Sequence, residues 1–346
     1  MNSLLDYSFQ EISDILKQYG QPSYRATQLY DAIYSYKGED KITNIPKSLI
    51  SSLSQNYNFL PLTIYKELKG SDGTIKFLYK LADGNLIEGV LMRYKYGYTL
   101  CVSTQVGCRM GCKFCASTLN GLVRNLSAGE IVAQVLCVNA YLNGSRQNRK
   151  ITNVVLMGSG EPLDNFDNVL KFIKLISDEH GITIRQRHIS LSTCGLVDKI
   201  DLLAKQKLQI TLTISLHAPN DNLRRQTMPI ANRYSVKDVV NCAKRYFKET
   251  KRRIVFEYAL IDGQNDSFKC ADELASLLHG FSNHVNLIPL NEVKERGLKG
   301  TNKHQGYAFM ERLKSKGISA TMRRTMGEDI EGACGQLRAK VIRFTQ

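Results

Sequence analysis

Short apolar runs alternate with helical stretches from about residue 100 onward, and this alternation constrains the fold more than any other feature. Helical stretches such as SAGEIVAQVLCVNAYL and NVLKFIKLISDEHG separate the runs. The runs, which end in Gly, Pro, Asn or His-containing turns, are ITNVVLMGSGEP, RHISLSTCG, QITLTISLHAPN, RRIVFEYALIDG and HVNLIPLN. Repeated β–α units of this kind predict a parallel sheet or barrel.

A strand that ends at Cys101 brings the number of predicted β–α units to six. A closed eight-unit barrel typically needs about 250 residues, and only about 200 are available here. We therefore predict an α/β fold built on a partial, open (β/α)6 barrel. In such folds the chemistry lies at the carboxyl ends of the strands, which is where GSGEP, STCG, SLHAPN and LIPLN fall.

The chain is strongly basic, with 47 Lys and Arg residues against 32 Asp and Glu residues. The resulting net charge of +15 attracts polyphosphates, and it favours nucleic acid over a membrane because no basic amphipathic helix stands out. The sequence has no long apolar run and no secretory leader pattern, so we expect no membrane partner and a cytoplasmic location. An odd number of cysteines, nine, argues against a purely structural disulfide framework.

Changes in pattern divide the chain into four predicted parts. Residues 1–60 form a small, basic N-terminal helical domain, which either contacts RNA or is a solvated cap. Residues 61–100 alternate like strands and are broken by Gly-containing turns, which predicts a β-strand extension. Residues 101–310 form the barrel core, and residues 311–346 form a C-terminal segment.

Four of the nine cysteines lie within the stretch CVSTQVGCRMGCKFC. Cys108, Cys112 and Cys115 are spaced i, i+4, i+7, which is also the spacing of a buried helix face. Gly107 and Gly111, however, each precede a cysteine and are poor helix formers, so they favour a loop. Zinc usually takes four ligands in paired C-x-x-C spacing, and no second pair occurs. Three thiolates instead suit a [4Fe–4S] cluster in which one iron lacks a protein ligand.

This C-x-x-x-C-x-x-C motif, placed after a strand on a partial barrel, resembles the radical S-adenosylmethionine (SAM) superfamily. Phe114 and the GSGEP stretch at 158–162 fit the pattern of that superfamily. Further motifs, including GLVRNL, LSTCG, SLHAPN, NLIPLNE and GEDIEGACGQL, resemble in order and spacing the RlmN/Cfr family of RNA adenine methyltransferases. The resemblance runs from about residue 12 to residue 345. It implies methylation at C2 of adenosine 2503 in 23S rRNA and of adenosine 37 in certain tRNAs.

The same resemblance implies a set of cofactors and their ligands. One [4Fe–4S] cluster per chain is expected on the three cysteines of the motif, and two SAM molecules are expected per turnover. An external one-electron donor such as a flavodoxin is expected as a partner, beside 23S rRNA and tRNA. The positions that match SAM contacts are Gly160, Glu161, Ser192, Ser215, Leu216, His217 and Asn291.

Three further residues match catalytic positions of the family. Adenine C2 is an electron-poor carbon without a lone pair, so a radical route is needed and the cofactor supplies it. The resemblance implies that Cys334 carries the methyl group as S-methylcysteine and forms a covalent adduct with the RNA. Cys101 matches the thiol that releases the product through a transient disulfide with Cys334. Glu88 matches the proton acceptor, and the division of proton abstraction between Glu88 and Cys101 stays open.

Without the resemblance, Cys334 would be interpreted as a structural cysteine and Glu88 as a surface carboxylate on a strand. Two other functions also stay open. One is Cfr-type methylation at C8 of the same adenosine, although QVGC at 105–108, GEP at 160–162 and LIP at 287–289 favour the C2 reaction. The other is a non-enzymatic RNA-binding protein with a structural metal site.

Basic side chains outside the barrel motifs are expected to hold the RNA backbone. They include those of residues 1–60 together with Arg323 and Arg324. The lysine-rich loop at 291–306 either reaches phosphates or is simply solvated.

Overall fold

The computed structural model describes residues 1–290, 297–330 and 337–338. The strands of this part of the chain are β1 (Asn2–Ser3), β2 (Tyr57–Asn58), β3 (Leu62–Lys69), β4 (Ile75–Leu81), β5 (Leu86–Tyr94), β6 (Gly97–Cys101), β7 (Gln105–Gly107), β8 (Leu122–Asn125), β9 (Ile151–Leu156), β10 (Ile189–Thr193), β11 (Thr211–Ser215), β12 (Ile254–Leu260), β13 (Asn283–Pro289) and β14 (Ala320–Met322). The α-helices are α1 (Phe9–Gln18), α2 (Tyr24–Ser35), α3 (Lys47–Ser54), α4 (Ala128–Tyr141), α5 (Phe166–Ser177), α6 (Val197–Lys205), α7 (Asp221–Thr227), α8 (Val236–Thr250), α9 (Phe268–Leu278) and α10 (Lys303–Ser315).

Ten strands form one continuous sheet in the order β14-β13-β12-β11-β10-β9-β6-β5-β4-β3. The strands from β6 through β9 to β14 are parallel to their neighbours, whereas β3, β4, β5 and β6 pair antiparallel. Strand β6 therefore belongs both to the barrel and to the antiparallel extension. The two edge strands, β14 and β3, do not pair with each other in the described residues, so the barrel is open as predicted.

The six predicted barrel strands are confirmed as β6 and β9 to β13. The structure adds a seventh parallel strand, β14, which pairs with β13 at Ala320, Thr321 and Met322. Three residues are too few to show an alternating or continuous apolar pattern, which is why the sequence did not reveal this strand.

Helices between the parallel strands cover the sheet, since a parallel connection needs a crossover. Helix α4 is buried from Ala128 to Asn139 and begins with a capping box of Ser127 and Glu130. The N-terminal helices pack onto the same core, because Leu16, Tyr30 and Leu53 belong to its continuous hydrophobic cluster. None of the helices in the described ranges combines the length and apolar character needed to cross a bilayer.

Candidate active site

A cavity of about 250 Å³ opens at the carboxyl ends of the parallel strands. Ser192 of β10 and Ser215 of β11 reach it from adjacent strands, and Glu161 reaches it from the loop after β9. Such ends are where α/β folds place ligands. The predicted site residues that line this cavity are Cys108, Cys112, Cys115, Gly160, Glu161, Ser192, Ser215 and His217.

The three cysteines of the motif lie on a loop, so the helical alternative is wrong for this stretch. Gly107 and Gly111 have φ values of +80° and +72°, in the left-handed region that side chains disfavour. A Cβ atom on Gly107 would also lie 2.0 Å from the carbonyl oxygen of Gly121. Both glycines are therefore required by the turns that bring the cysteines to the cavity.

Backbone and side-chain hydrogen bonds fix this cysteine loop. The N–H of Cys108 donates to Gly121 O at 2.9 Å, and the N–H of Lys113 donates to Thr227 O at 2.8 Å. Thr118 Oγ1 donates to Cys112 O at 3.1 Å. The loop is thus held from two directions before any ligand binds, which lowers the cost of ordering a metal site.

The electrostatics of the cysteines fit a metal cluster. Cys108 and Cys112 are only 7% and 8% exposed. Burial, together with the neighbouring Cys115, raises the pKa of Cys108 to about 12, and burial likewise raises the pKa of Cys112. Thiolates gathered here need a compensating positive charge, which bound iron provides. In the described ranges no three His, Cys, Asp or Glu side chains converge on one metal ion, but the cysteines of an iron–sulfur cluster bind separate irons.

Glu161 lies at the base of the cavity and is 4% exposed. Its carboxylate accepts hydrogen bonds from the backbone N–H of Leu163 at 3.0 Å and of Cys194 at 2.7 Å. Burial raises the pKa of Glu161 in spite of these bonds. Because a carboxylate can accept about four hydrogen bonds, Glu161 keeps room for a ligand donor such as an amino group.

Glu257 of β12 is a site residue that sequence reasoning missed. Glu257 Oε2 accepts hydrogen bonds from Ser192 Oγ at 3.0 Å and from Ser215 Oγ at 3.2 Å. Its other oxygen, Oε1, is buried and accepts no hydrogen bond from any residue that the structure describes, and Arg323 Nη1 lies 3.6 Å from it. A buried acceptor without a donor fits a ligand hydroxyl, such as that of a ribose. The signal was a glutamate within the apolar run IVFEYAL.

His217 is held in one orientation at the edge of the cavity. It has a φ of +57°, and its Nδ1 accepts a 2.9 Å hydrogen bond from the N–H of Ala259. Its ring meets Phe114 edge-on, with ring centroids 4.7 Å apart. Burial, with the nearby Arg224 charge, lowers the pKa of His217 to about 3, so the imidazole stays neutral. The preceding Leu216 is fully buried and lies outside the residues that line the cavity.

Arg224 of α7 is a second residue that the sequence did not reveal. Its side chain is fully buried, and its guanidinium donates to the carbonyl oxygens of Cys194 at 2.6 Å and Leu216 at 3.1 Å. It thereby ties the ends of β10 and β11 together under the cavity. Cys194 itself donates its backbone N–H to Glu161 and lines the cavity.

The predicted catalytic residues Glu88, on β5, and Cys101, on β6, lie on the antiparallel extension, and neither lines the cavity. Cys101, at the end of β6, is 5% exposed and packs with Met157, which itself lines the cavity. Glu88 is 2% exposed, so the surface alternative is wrong, and its Oε2 lies 3.2 Å from Lys76 Nζ. Two predicted residues, Cys334 and Asn291, lie outside the described residues.

Comparisons with known proteins identify the family of this chain. Residues 102–274 match the model of the Radical SAM superfamily. The chain is 50% identical over 345 residues to "Probable dual-specificity RNA methyltransferase RlmN" of Clostridium botulinum (strain Alaska E43 / Type E3), covering 99% of this chain and 98% of that protein. Its identity to the protein of the same name from Clostridium perfringens (strain 13 / Type A) is also 50%, with the same coverage.

A solved structure supports the same assignment. The crystal structure of a radical SAM methyltransferase from Sphaerobacter thermophilus superposes with a TM-score of 0.93 at 42% sequence identity. The superposition covers 97% of this chain and 99% of that one. The predicted fold and family are therefore confirmed: the chain belongs to the radical SAM superfamily and, within it, to the RlmN family of dual-specificity RNA methyltransferases.

Proposed function

We propose that this chain methylates C2 of adenosine 2503 in 23S rRNA and of adenosine 37 in tRNAs. The observation that carries this proposal is the cavity, which joins three cysteines on a fixed loop to Glu161 and to the Ser192–Glu257–Ser215 group. A membership of the RlmN family supports an RNA substrate, since relatives at 50% identity are named RNA methyltransferases.

Cys108, Cys112 and Cys115 would hold one [4Fe–4S] cluster through their three thiolates. Glu161 accepts the amino group of SAM, while Ser192, Ser215 and Glu257 face its ribose. When bound, these cofactors supply the radical that ordinary polar methyl transfer cannot provide, and a flavodoxin-like donor supplies the electron. The neutral His217 and the buried Arg224 keep the cavity walls in place around them.

Cys334 would carry the transferred carbon as an S-methyl thioether. The radical that the cofactors supply would remove one hydrogen atom from this methyl group, its carbon would then bond to adenine C2, and one electron would leave the adduct to the cofactor. For release, the thiolate of Cys101 attacks the sulfur of Cys334, so that an S–S bond forms and the bond from sulfur to carbon breaks. The electron pair of that bond stays with the carbon, which takes up a proton and becomes the methyl group, and the C2 proton leaves to a base. Glu88 is buried on the same extension as Cys101 and takes that proton directly or after Cys101.

The adenine edge must leave its stack to reach such a site. Single-stranded loops of RNA present bases that are already splayed, which suits both proposed substrates. The net charge of +15 holds the phosphate backbone while the base is bound. Arg323, which pairs with Glu257 at the cavity, is positioned where substrate enters.

The test is anaerobic reconstitution with iron and sulfide, followed by dithionite, SAM and a 23S rRNA fragment or tRNA. We expect 5′-deoxyadenosine and 2-methyladenosine, detected by mass spectrometry. Cys334→Ala is expected to abolish RNA methylation, and Cys137→Ala, a buried cysteine on α4, serves as the control. Detection of 8-methyladenosine would instead assign the Cfr-type reaction. A protein that forms no cluster and cleaves no SAM would be an RNA-binding protein only.

A further inference from the structure

One face of the antiparallel extension carries both Cys101 and a buried ion pair. Cys101 of β6 is the register partner of Val90 on β5, and Val90 is the register partner of Lys76 on β4. Partners across neighbouring strands share a face, as do residues two apart on one strand. Lys76, Glu88 and Cys101 therefore lie on one face of the sheet.

The ion pair of Lys76 with Glu88 carries a large desolvation cost because both charges are buried. The two side chains are 0% and 2% exposed, and 3.2 Å separates Lys76 Nζ from Glu88 Oε2. Apolar residues of similar size are often as stabilising as a buried ion pair, because both charges must lose their water. A pair retained under these conditions is a candidate for a functional role.

The pair makes a contact with the far end of the chain. Glu88 Oε1 accepts a hydrogen bond from the backbone N–H of Arg338, 250 residues away in sequence. Lys76 holds one oxygen of the carboxylate, so the other oxygen is directed to the C-terminal segment. The ion pair thus forms the first anchor of that segment.

The turn between β3 and β4 forms a second anchor. Asp72 Oδ2 accepts a 2.9 Å hydrogen bond from the N–H of Gly327, and the N–H of Ser71 donates to Asp329 Oδ2 at 2.8 Å. Asp72 Oδ1 also accepts from the N–H of Thr74 at 2.9 Å, which fixes the turn itself. Although burial opposes it, the Gly327 and Thr74 amides lower the pKa of Asp72, so this anchor is charged at neutral pH.

The two anchors lie on either side of Cys334. Gly327 precedes Cys334 and Arg338 follows it by four positions. Met326, next to the second anchor, packs against the cluster that contains Cys101. Anchoring both ends lowers the entropy cost of bringing the two cysteines together.

We propose that Asp72 and Lys76 are positioning residues of a two-point clamp, in which the Gly327–Asp72 and Ser71–Asp329 hydrogen bonds and the Lys76–Glu88 pair hold the C-terminal segment. The clamp holds the chain on both sides of Cys334 in the sequence against the extension that carries Cys101. The consequence for methyl transfer rests on the proposed function, whereas the clamp itself does not.

The experiment uses hydrogen–deuterium exchange of the full reconstituted protein, read on peptides that span residues 325–340. The variants are Asp72→Ala and Lys76→Met. The control for the first is Asp83→Ala, because Asp83 Oδ1 accepts from the N–H of Asn85 at 3.0 Å in the same manner at the next hairpin turn. The control for the second is Lys80→Met, an exposed lysine on the same strand.

We expect exchange in these peptides to rise roughly fivefold or more in both variants and to stay unchanged in both controls, as for loss of one net hydrogen bond. The rate of RNA methylation should fall by a factor of about five or more in both variants. Iron content and SAM cleavage in the absence of RNA should stay unchanged. Unchanged exchange in Asp72→Ala would overturn the clamp, and this exposed residue keeps the test valid if Lys76→Met fails to fold. If exchange becomes faster in the two variants but RNA methylation stays at the wild-type level, Asp72 and Lys76 have no positioning role in methylation. Exchange needs no turnover, so a failure of the proposed function would be seen separately, in the wild-type assay.

Discussion

Ser192 Oγ donates a 3.0 Å hydrogen bond to the carboxylate of Glu257, which joins two barrel strands where both line the cavity. Ser192 belongs to β10 and Glu257 to β12, so the bond passes across β11. Ser215 of that middle strand donates to the same oxygen. The second oxygen of Glu257 is thereby left facing the space that a ligand would fill.

Replacing this carboxylate is expected to weaken SAM binding. Glu257→Gln removes the charge and half of the acceptor capacity, and a hydrogen bond to a charged group is worth roughly 1.5–3 kcal/mol. We expect the Kd for SAM to rise about tenfold to hundredfold, as measured by calorimetry on the reconstituted protein. Glu311→Gln, which changes only an exposed pair with Lys314, is the control. An unchanged Kd would remove Glu257 from the ribose site.

Loss of a cysteine from the motif is expected to remove iron, whereas loss of a cysteine elsewhere is not. Cys112→Ala removes one of three proposed ligands and is expected to abolish the stable cluster, as measured by iron content and the visible absorption spectrum. Cys242→Ala, on α8 with Sγ directed at Val197 O, should retain both. Equal iron in the two variants would contradict the ligand assignment.

Arg224 is expected to stabilise the fold beneath the cavity. Arg224→Met leaves the carbonyl oxygens of Cys194 and Leu216 without their buried donor, at a cost of roughly 3 kcal/mol in the free energy of unfolding. Arg225→Met, at the neighbouring and half-exposed position, should change it by less than ~0.5 kcal/mol. Urea denaturation of both variants measures the difference, and equal midpoints would show that Arg224 is not a structural tie.

An acid-sensitive contact links Asp83, in the β4–β5 turn, to Arg124 of β8. Although partial burial opposes it, hydrogen bonds from Arg124 and Asn85 lower the pKa of Asp83 from 3.8 to about 2. A carboxyl group whose pKa is lower in the folded state stabilises the protein at any pH above its unfolded-state pKa of 3.8. This stabilisation is lost as the pH falls from 3.8 towards 2. The Tm difference between wild type and Asp83→Asn should therefore shrink over that interval. A Tm difference that stays constant with pH would show that Asp83 stabilises the fold by hydrogen-bond geometry and not by its charge.

RNA binding is expected to be strongly salt-dependent because of the +15 net charge. Release of counterions makes log affinity fall linearly with log salt, and several phosphate contacts give roughly a tenfold or larger loss between about 50 and 200 mM salt. Fluorescence anisotropy with a labelled anticodon stem-loop measures the slope. A flat line would reject the electrostatic account of backbone binding.

Local patterns predicted the parts of the molecule that depend on near neighbours in sequence. The β–α alternation specified the six main barrel strands, and the glycines of the cysteine motif indicated a loop. The residues that were missed act through tertiary contacts. Lys76 lies in TIKFLYK, where alternation places it on a solvent face, yet it is buried together with Glu88. Arg224 follows other polar residues on α7, and only the fold turns it beneath the cavity.

The unbroken sheet has a consequence for how a large nucleic acid is admitted. Strands β5 and β6 pair continuously from Val90 with Cys101 to Tyr94 with Gly97, so the extension cannot swing away from the barrel without breaking this ladder. The extension and the barrel thus form one rigid binding surface, and they do not close around the RNA as two moving domains. The conformational change needed for binding therefore occurs in the RNA. One nucleotide has to be extruded into the site while the rest of the RNA stays on the protein surface.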